Sequence, residues 1–465
     1  MRRPSGSLRE DRTGTPPTVG PTRGHWRSGS GFLLAALGSA IGLGNIWRFS
    51  YVAGENGGGA FLIVYLVVVF LVGIPLLLGE LALGRSAQRE SAAAFEVLAP
   101  GSRWRHLGWL GVIVAALILA YYAVIAGWVL KYLWVHWSGS AQSLAAGGFA
   151  AGFRHFIAHP VEPVAWQFAA MLLTTAIVAL GVDRGIETVS KWLMPVLGLL
   201  MVGLALHSIT MPGFQRGLEF LLRPDWAALT SPEVYLAALG QAFFSIGLAM
   251  GVMVTYGSYV DQCRRLPRAA AAIAIGDSFF AVMAGMVIFP AVFSFGLDPA
   301  QGPALAFVVL PEVFAAMAGG AWIGGAFFAL LAIAAVTSAV SLLEVTVAFA
   351  MHRFAWSRAR ASLTLGGLIF LLGIPAALGF GPWAGITFPG GRSILDAADF
   401  IAADLLLPLN GPLIAVFLGW VWKRNDALQA CGLSAGPLGW LWRFNLRCVV
   451  PLLVLLVLAQ GVLRA

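Results

Sequence analysis

The residues best suited to bind ions or a small polar solute interrupt stretches that are otherwise strongly apolar. Residues 38–45 read GSAIGLGN and are followed by Arg48, while residues 241–251 read QAFFSIGLAMG. Glycines weaken a helix interior, and ionisable side chains are costly inside a membrane. Close packing of helices through small residues is the alternative, but packing does not require Asn45 or Arg48. Each segment is therefore predicted to be a broken helix with free backbone groups.

Two further apolar stretches add oxygen ligands to these broken helices. One contains Asp277, and the other contains Thr337 and Ser338. Hydroxyls within a helix more often bond to their own backbone, so this pair gains meaning only beside the broken helices. Carboxylate, amide, hydroxyl and carbonyl oxygens suit a hard cation and do not suit zinc or copper. We therefore expect a site for Na⁺.

The elements that must position these residues are membrane helices. The chain has 465 residues, of which 59% are hydrophobic, and its mean hydropathy is +0.84. Continuous apolar runs of about 20 residues can each cross a bilayer as a helix, whereas a barrel would show alternation. We predict eleven spans, near residues 30–50, 59–84, 107–136, 164–182, 188–210, 236–262, 271–296, 320–351, 362–380, 397–422 and 446–463.

Positive charge lies in an N-terminal tail and in alternate short loops. The formal net charge is +8, but arginines placed in this way set membrane topology and do not form a nucleic-acid footprint. The arginine-rich loops predict a cytoplasmic N-terminus and an external C-terminus. The short loops are typical of a protein of the bacterial plasma (inner) membrane. Residues 1–28 are predicted to be a disordered basic cytoplasmic tail, and residues 29–465 a single transmembrane domain.

The two broken helices occupy equivalent places in two halves of the chain. They are predicted spans 1 and 6, which are five apart, as an inverted repeat would require. Repeat one would cover about 29–210 and repeat two about 236–422, with an extra span near 446–463. Paired broken spans of this kind mark a midplane site, where free carbonyls bind Na⁺ and helix N-termini bind a carboxylate.

Several motifs, in order along the chain, resemble those of the neurotransmitter:sodium symporters. The motifs are residues 40–49 (AIGLGNIWRF), 55–61 (ENGGGAF), 73–75 (GIP) with Glu80, Tyr121-Tyr122, residues 240–245 (GQAFFS) and Thr337-Ser338. The resemblance runs from about His25 to the end. It implies a bacterial, LeuT-like amino acid transporter: an all-α membrane protein with the LeuT fold, a 5+5 inverted repeat and one extra span.

The resemblance implies two sodium sites. The first would consist of the Ala40 carbonyl and the side chains of Asn45, Ser245 and Asp277. The second would consist of the carbonyls of Gly38, Ile41 and Ala334 with the hydroxyls of Thr337 and Ser338.

The resemblance also implies a substrate site between the broken spans and spans 3 and 8. Its residues would be Ser39, Ala40, Gly42, Leu43, Gly44, Ile118, Tyr122, Phe244, Ser245, Gly247, Met250, Ser338 and Leu342. Tyr122 would bond the substrate carboxylate and would form a lid with Phe244. Because Ile118, Met250 and Leu342 are apolar, the substrate is expected to have a neutral side chain, apolar or aromatic. A charged side chain would be buried there without a partner, at a high cost in free energy.

Two positions bear on the class of substrate and on the need for chloride. Monoamine carriers of the family place an Asp where this chain has Gly42, so a substrate that brings its own carboxylate, an amino acid, is expected. Asp277 supplies a fixed negative charge beside the first sodium site, so no chloride is expected.

The resemblance implies gates on both sides of the site. Arg48 and Asp399 would form the outer gate, bridged by water, above the Tyr122–Phe244 lid. Asp404, also in span 10, has no role in the family pattern. Two interpretations remain: Asp404 pairs with a buried partner, or it faces the lumen.

The inner gate departs from the family pattern. Arg23 and Trp26 fit it, with Tyr259 nearby, but His352 stands where an Asp is expected. Glu344, two turns earlier, is the replacement partner predicted for Arg23. His352 then either makes this gate sensitive to pH or belongs to a solvated basic loop.

The resemblance also implies a structural role for Glu80, whose carboxylate would accept N–H groups freed by the break in span 6.

Together the features predict sodium-coupled symport of a neutral, hydrophobic or aromatic L-amino acid by alternating access. The expected partners are the amino acid, sodium ions and membrane lipid, with no nucleic acid and with the oligomeric state open. An enzyme is disfavoured because no nucleophile–base pair stands out. A carrier of another solute such as an osmolyte, coupled to sodium or protons, and a non-transporting sensor are the alternatives.

Overall fold

The computed structural model describes residues 24–140, 148–261, 265–300 and 305–462, with side chains up to residue 456. Over these ranges the chain folds into helices and forms no β-strand. The N-terminal segment up to residue 23, which includes Arg23, lies outside the described residues.

The helices follow the order predicted for the spans. Their bounds are Gly29–Ala40 with Gly44–Glu55 (span 1), Gly59–Ala87 (span 2), Arg103–Trp137 (span 3), Glu162–Ala179 (span 4), Val182–Ser208 (span 5), Pro232–Ile246 with Val252–Gly257 (span 6), Leu266–Ser294 (span 7), Gly320–Phe354 (span 8), Arg358–Leu378 (span 9), Ile394–Val421 (span 10) and Pro437–Leu456 (span 11). Shorter helices between them are Ser91–Leu98, Phe149–Ala158, Phe214–Leu222, Leu305–Ala316 and Arg424–Cys431.

Among the described residues, nine helices are long and apolar enough to cross a membrane, and the bent pair of span 1 makes a tenth. Span 6 consists of two helices that are each too short for that test, so the total of eleven remains a prediction. Span 11 begins at Pro437 and not near residue 446, because the Trp-rich segment before it is also helical.

Span 1 breaks at the glycine-rich segment that the sequence indicated. Its first helix ends at Ala40, its second begins at Gly44, and the two are bent by 48°. Ser28 begins the first helix, since its hydroxyl accepts the Gly31 N–H at 3.0 Å.

Span 6 breaks where three residues adopt positive φ. Gly247 has φ +74°, Ala249 +62° and Gly251 +75°. Glycine tolerates this conformation, but alanine does so only at a cost, so surrounding contacts must hold it in place. The Glu80 carboxylate accepts the Ala249 N–H at 2.8 Å, and the Asn410 amide donates to the Ala249 carbonyl at 2.6 Å.

Spans 3 and 8 form the centre of the bundle. Their apolar stretches are 78% and 83% buried, against 33% for span 5 and 39% for span 9. Spans 3 and 8 therefore face protein on nearly every side, whereas spans 5 and 9 leave most of their surface free for lipid.

Spans 2 and 6 touch backbone to backbone. A Cβ added to Gly84 would lie 1.9 Å from the Val254 carbonyl oxygen, and one added to Gly257 would lie 2.5 Å from the Leu81 carbonyl oxygen. No side chain larger than hydrogen fits at either glycine.

Span 10 contains a π-helical segment, Phe400–Leu406, which directly follows Asp399. Its backbone bonds join residue i to residue i+5, so one extra residue fits into each turn.

Candidate functional site

The breaks in spans 1 and 6 face each other across a small central cavity of about 30 Å³. The residues that line it are Ser39, Ala40, Gly42, Gly44, Ile118, Tyr122, Phe244, Gly247, Met250, Val252, Ser338, Ser341 and Leu342. The broken spans supply backbone polar groups, and spans 3 and 8 supply hydroxyls and apolar side chains. The cavity therefore has a polar part and an apolar part.

The lining includes most of the residues expected at the substrate site. Leu43 and Ser245 are not in it, whereas Val252 and Ser341 are and were missed. The position of Ser341 could have been found from helical spacing, since it lies three residues after Ser338 on the same helix.

Hydroxyl groups bind the free backbone at the break in span 1. The Tyr122 hydroxyl accepts the Leu43 N–H at 3.3 Å, and the Ser338 hydroxyl donates to the Ser39 carbonyl at 3.1 Å. The Ser39 hydroxyl donates to Ser341 at 2.7 Å. These contacts join spans 1, 3 and 8 around the polar part of the cavity.

A buried carboxylate lies beside the cavity, at Asp277. Its oxygens accept hydrogen bonds from the Asn45 amide at 2.7 Å, the Ser245 hydroxyl at 2.8 Å and the Tyr65 hydroxyl at 3.2 Å. Asn45, Ser245 and Asp277, which were expected at the first sodium site, are thus in direct contact. An amide can turn its oxygen instead of its nitrogen toward a cation, so this donor set suits Na⁺.

The residues expected at the second sodium site lie where spans 1 and 8 meet. A Cβ added to Gly38 would be 3.3 Å from the Thr337 Cβ, which shows how closely the two backbones approach. The Thr337 hydroxyl donates to the carbonyls of Ile333 and Ala334 at 3.0 and 3.1 Å. The hydroxyls of Thr337 and Ser338 therefore lie beside carbonyls of both spans.

A second, larger cavity lies on the side of the central site where Arg48 is found, here called the Arg48 side. Its volume is about 200 Å³, and Tyr122 and Phe244 line both cavities and so separate them. The Arg48 guanidinium lies over the Phe244 ring, 4.9 Å from its centroid. Among the described residues, the carboxylate within ion-pair distance of Arg48 is Asp404, at 4.0 Å. Asp399 lines the larger cavity together with Arg48, and the water-bridged gate between these two residues stays a prediction.

The opposite side, here called the Trp26 side, is closed by the N-terminal segment. Trp26 is 3% exposed, its indole N–H donates to the Tyr256 carbonyl at 3.1 Å, and its backbone N–H donates to the Tyr259 carbonyl at 3.4 Å. Trp26, which lies in the segment predicted to be a disordered tail, is therefore packed against span 6.

Glu344 is paired with Arg358, whereas Arg23, its predicted partner, lies outside the described residues. Its buried carboxylate accepts two bonds from the Arg358 guanidinium, at 2.7 and 3.0 Å, and one from the Tyr259 hydroxyl at 2.6 Å. Arg358 begins the next helix and reaches back to span 8. His352 faces Glu90, with 3.4 Å between the ring nitrogen and the carboxylate oxygen.

Glu187 on span 5 holds the N-terminal segment from the other side and was missed by the sequence reasoning. Its buried carboxylate accepts the Arg27 backbone N–H at 2.7 Å, the Ser28 hydroxyl at 2.8 Å and the Lys191 ammonium at 2.6 Å. The Arg27 side chain forms a separate, exposed ion pair with Asp183 at 2.8 Å.

Comparison with known proteins identifies the family. The family model described as the sodium:neurotransmitter symporter family matches residues 23–142 and 157–465. The chain belongs to this family. The resemblance noted from the sequence motifs is thereby confirmed.

Two relatives of this symporter family member are a bacterial and an archaeal protein. The chain is 42% identical over 435 residues to an uncharacterized sodium-dependent transporter of Bacillus subtilis, YhdH, covering 93% of this chain and 96% of that protein. It is 33% identical over 457 residues to an uncharacterized sodium-dependent transporter of Methanocaldococcus jannaschii, covering 93% and 89%.

A solved structure with the same fold is that of MhsT in complex with L-phenylalanine. The TM-score is 0.90 at 51% sequence identity, covering 95% of this chain and 100% of MhsT. This match confirms the LeuT fold. The chain is therefore a multi-pass membrane protein of a sodium-dependent transporter family and not an enzyme.

Proposed function

We propose that this symporter couples the inward movement of sodium to the uptake of a neutral L-amino acid with an apolar or aromatic side chain. The observation that carries the proposal is the Asp277 carboxylate, bonded to Asn45 and Ser245 directly beside the central cavity. A cation bound there would lie next to a substrate carboxylate, so each would stabilise the other. The proposal places two sodium ions, one in each cluster described above.

The cavity walls support an amino acid over a monoamine. A Cβ added to Gly42 would lie 2.4 Å from the Ser338 hydroxyl, so this structure has no room for an Asp that would pair with a substrate amine. Ile118, Met250 and Leu342 line the apolar part. MhsT, which is similar over its whole length, was solved with L-phenylalanine, and that observation supports an aromatic substrate here.

Chloride independence is the second part of the proposal. The buried Asp277 carboxylate supplies one fixed negative charge next to the first proposed sodium position. A carboxylate already present removes the need for a mobile anion to balance the cation. The arrangement therefore favours transport without chloride.

The proposed sidedness follows the arginine-rich loops. The Trp26 side faces the cytoplasm and the Arg48 side faces outward, in the plasma membrane of a bacterium. The proposed single transmembrane domain contains both repeats and the extra span. Each sodium ion moving inward then gains about 2.3 kcal/mol per 100 mV of membrane potential.

The proposed mechanism is alternating access. Sodium and substrate enter from the Arg48 side and bind between the broken spans, and Tyr122 and Phe244 separate them from the larger cavity. The Trp26 side then opens as the N-terminal segment leaves span 6. Release to the cytoplasm follows because the free backbone at the breaks becomes exposed to water.

The first test is uptake of labelled neutral amino acids, including L-phenylalanine, into proteoliposomes with an inward Na⁺ gradient. We expect accumulation with Na⁺, none when K⁺ replaces Na⁺, and no change when gluconate replaces chloride. Asp277→Asn should weaken the dependence on Na⁺ or create a requirement for chloride, whereas Asp426→Asn, at an exposed position, serves as the control.

Equal accumulation in Na⁺ and K⁺ would contradict sodium coupling. Accumulation of an osmolyte in place of amino acids would contradict the proposed amino acid substrate and leave sodium coupling intact. Binding without uptake by protein verified as folded would point to a sensor. Unchanged behaviour of Asp277→Asn in both anions would remove the argument from charge balance.

A further inference from the structure

The Arg48 guanidinium has no carboxylate closer than 4.0 Å among the described residues, although it is largely buried. Its side chain is 14% exposed, and its Nε and Nη1 atoms have no hydrogen-bond partner. The Asp404 carboxylate lies 4.0 Å from Nη2, at the outer limit of an ion pair. A buried charge without a close counter-charge is costly, so a shorter contact with a carboxylate would stabilise Arg48.

The π-helical segment of span 10 brings two carboxylates toward this guanidinium. Asp399 directly precedes Phe400–Leu406, and Asp404 lies within that segment, five residues later. In an α-helix residues five apart point about 140° away from each other. In a π-helix, residues five apart lie about one turn apart on the same side of the helix, because the backbone hydrogen bonds join residue i to residue i+5. The charges of both carboxylates act on Arg48.

The two carboxylates nevertheless lie in different surroundings. Asp399 lines the cavity of about 200 Å³ together with Arg48, whereas Asp404 does not line it, and its side chain is 50% exposed. A guanidinium that pairs with Asp399 is joined to a second residue of the cavity lining. One that pairs with Asp404 is joined to a carboxylate outside that lining.

We propose that Asp404 competes with Asp399 for Arg48 and thereby holds the Arg48 side open until substrate and sodium have bound. Asp404 acts through Arg48 as a positioning residue and does not touch the substrate. Closure on that side transfers the guanidinium from Asp404 to Asp399. This inference rests on the proposed function for its meaning, but the gate itself can be tested without any transported solute.

The test measures how fast a thiol reagent labels a cysteine in the larger cavity. Ile125→Cys, on buried span 3, lines that cavity and serves as the reporter, in a background with the three native cysteines replaced. Asp404→Asn should slow labelling about threefold and Asp399→Asn should speed it about threefold, since a partly exposed pair has a small effect. Asp404→Glu should restore the original rate, because it restores the charge.

Two further variants separate the gate from simpler explanations. In an Arg48→Gln background, Asp404→Asn should have no further effect if Asp404 acts through Arg48. Arg392→Gln tests the other cation near Asp404, whose guanidinium lies 4.0 Å from the Phe400 ring centroid, and it should leave labelling unchanged.

Labelling changes of the same direction in Asp404→Asn and Asp399→Asn would overturn the competition. So would an effect of Asp404→Asn that persists without Arg48. Opposite changes would support it even if amino acid uptake failed, so the gate and the proposed function can fail separately.

Discussion

On the Arg48 side of the central site, two aromatic rings and one poorly paired guanidinium separate the site from a cavity of about 200 Å³. On the Trp26 side, two buried carboxylates each hold several donors at 2.6–3.0 Å. Hydrogen bonds to charged groups contribute about 1.5–3 kcal/mol each, and they contribute most where water is excluded. The two sides therefore differ in the number and strength of the contacts that opening must break.

This difference indicates which side the carrier leaves open when it is empty. Opening the Trp26 side separates the N-terminal segment from Glu187, whereas opening the Arg48 side breaks no close ion pair among the described residues. We therefore expect the Arg48 side to open more readily. A cavity of about 270 Å³ lies on the Trp26 side, and Ala348 is part of its lining with Tyr259 and Arg358. The predictions below weaken the Trp26 side by decreasing amounts, and they use Ala348→Cys as the labelling reporter.

The largest effect is expected from Glu344→Gln. It removes the charge that pairs with Arg358, and loss of one partner of a buried pair costs about 3–5 kcal/mol. Thermal unfolding in detergent should occur at a clearly lower temperature, and labelling of the reporter should rise about a hundredfold or more. Adding Arg358→Gln should recover part of the loss, because no unpaired charge then remains. If Glu344→Gln alone were as stable as the parent protein, the Glu344–Arg358 pair would not be what closes the Trp26 side.

A smaller effect is expected from Glu187→Gln. The variant keeps the shape of the side chain but replaces charged hydrogen bonds to Arg27 and Ser28 with weaker ones. Labelling of the reporter should rise about tenfold, which corresponds to roughly 1.4 kcal/mol. Glu162→Gln, which removes the ion-pair partner of Lys131, is the matched control and should change nothing. Equal labelling of Glu187→Gln and Glu162→Gln would mean that the N-terminal segment is held by Trp26 alone.

The smallest effect is expected from Asp183→Asn. The Arg27–Asp183 pair is short, at 2.8 Å, but its side chains are 56% and 39% exposed. Exposed pairs contribute about 0–1 kcal/mol and are screened by salt. Labelling should rise less than about fivefold, and the difference should vanish at high choline chloride. A larger effect, or one that persists at high salt, would show that the exposed Arg27–Asp183 pair contributes more to closing the Trp26 side than its exposure suggests.

The breaks in spans 1 and 6 could be predicted because glycines and polar residues are conspicuous in an apolar chain. The same signal led to Asn45, Ser245 and Asp277, which the structure brings together. The family and the LeuT fold followed from motifs distributed along the chain, and the comparisons confirm both. These features could be found because they depend on local composition.

The contacts that close the Trp26 side could not be predicted in the same way. Arg358 reaches Glu344 across the turn between two helices, and Glu187 meets the N-terminal segment about 160 residues away. Asp404 was left without a role because a spacing of five residues has no meaning in a regular α-helix. Its relation to Asp399 appears only once Phe400–Leu406 is known to be π-helical.

The contact of Gly84 with the second helix of span 6 has a mechanical consequence. Side chains can change rotamer to absorb a small displacement, but two backbones in direct contact cannot. Span 2 and the helix Val252–Gly257 are therefore expected to turn as one rigid lever. The angular change between the two halves of span 6 then falls on the segment 247–251, whose positive φ values already set it apart from a helix. Two hydrogen atoms, the side chains of Gly84 and Gly257, thus fix the position of the hinge.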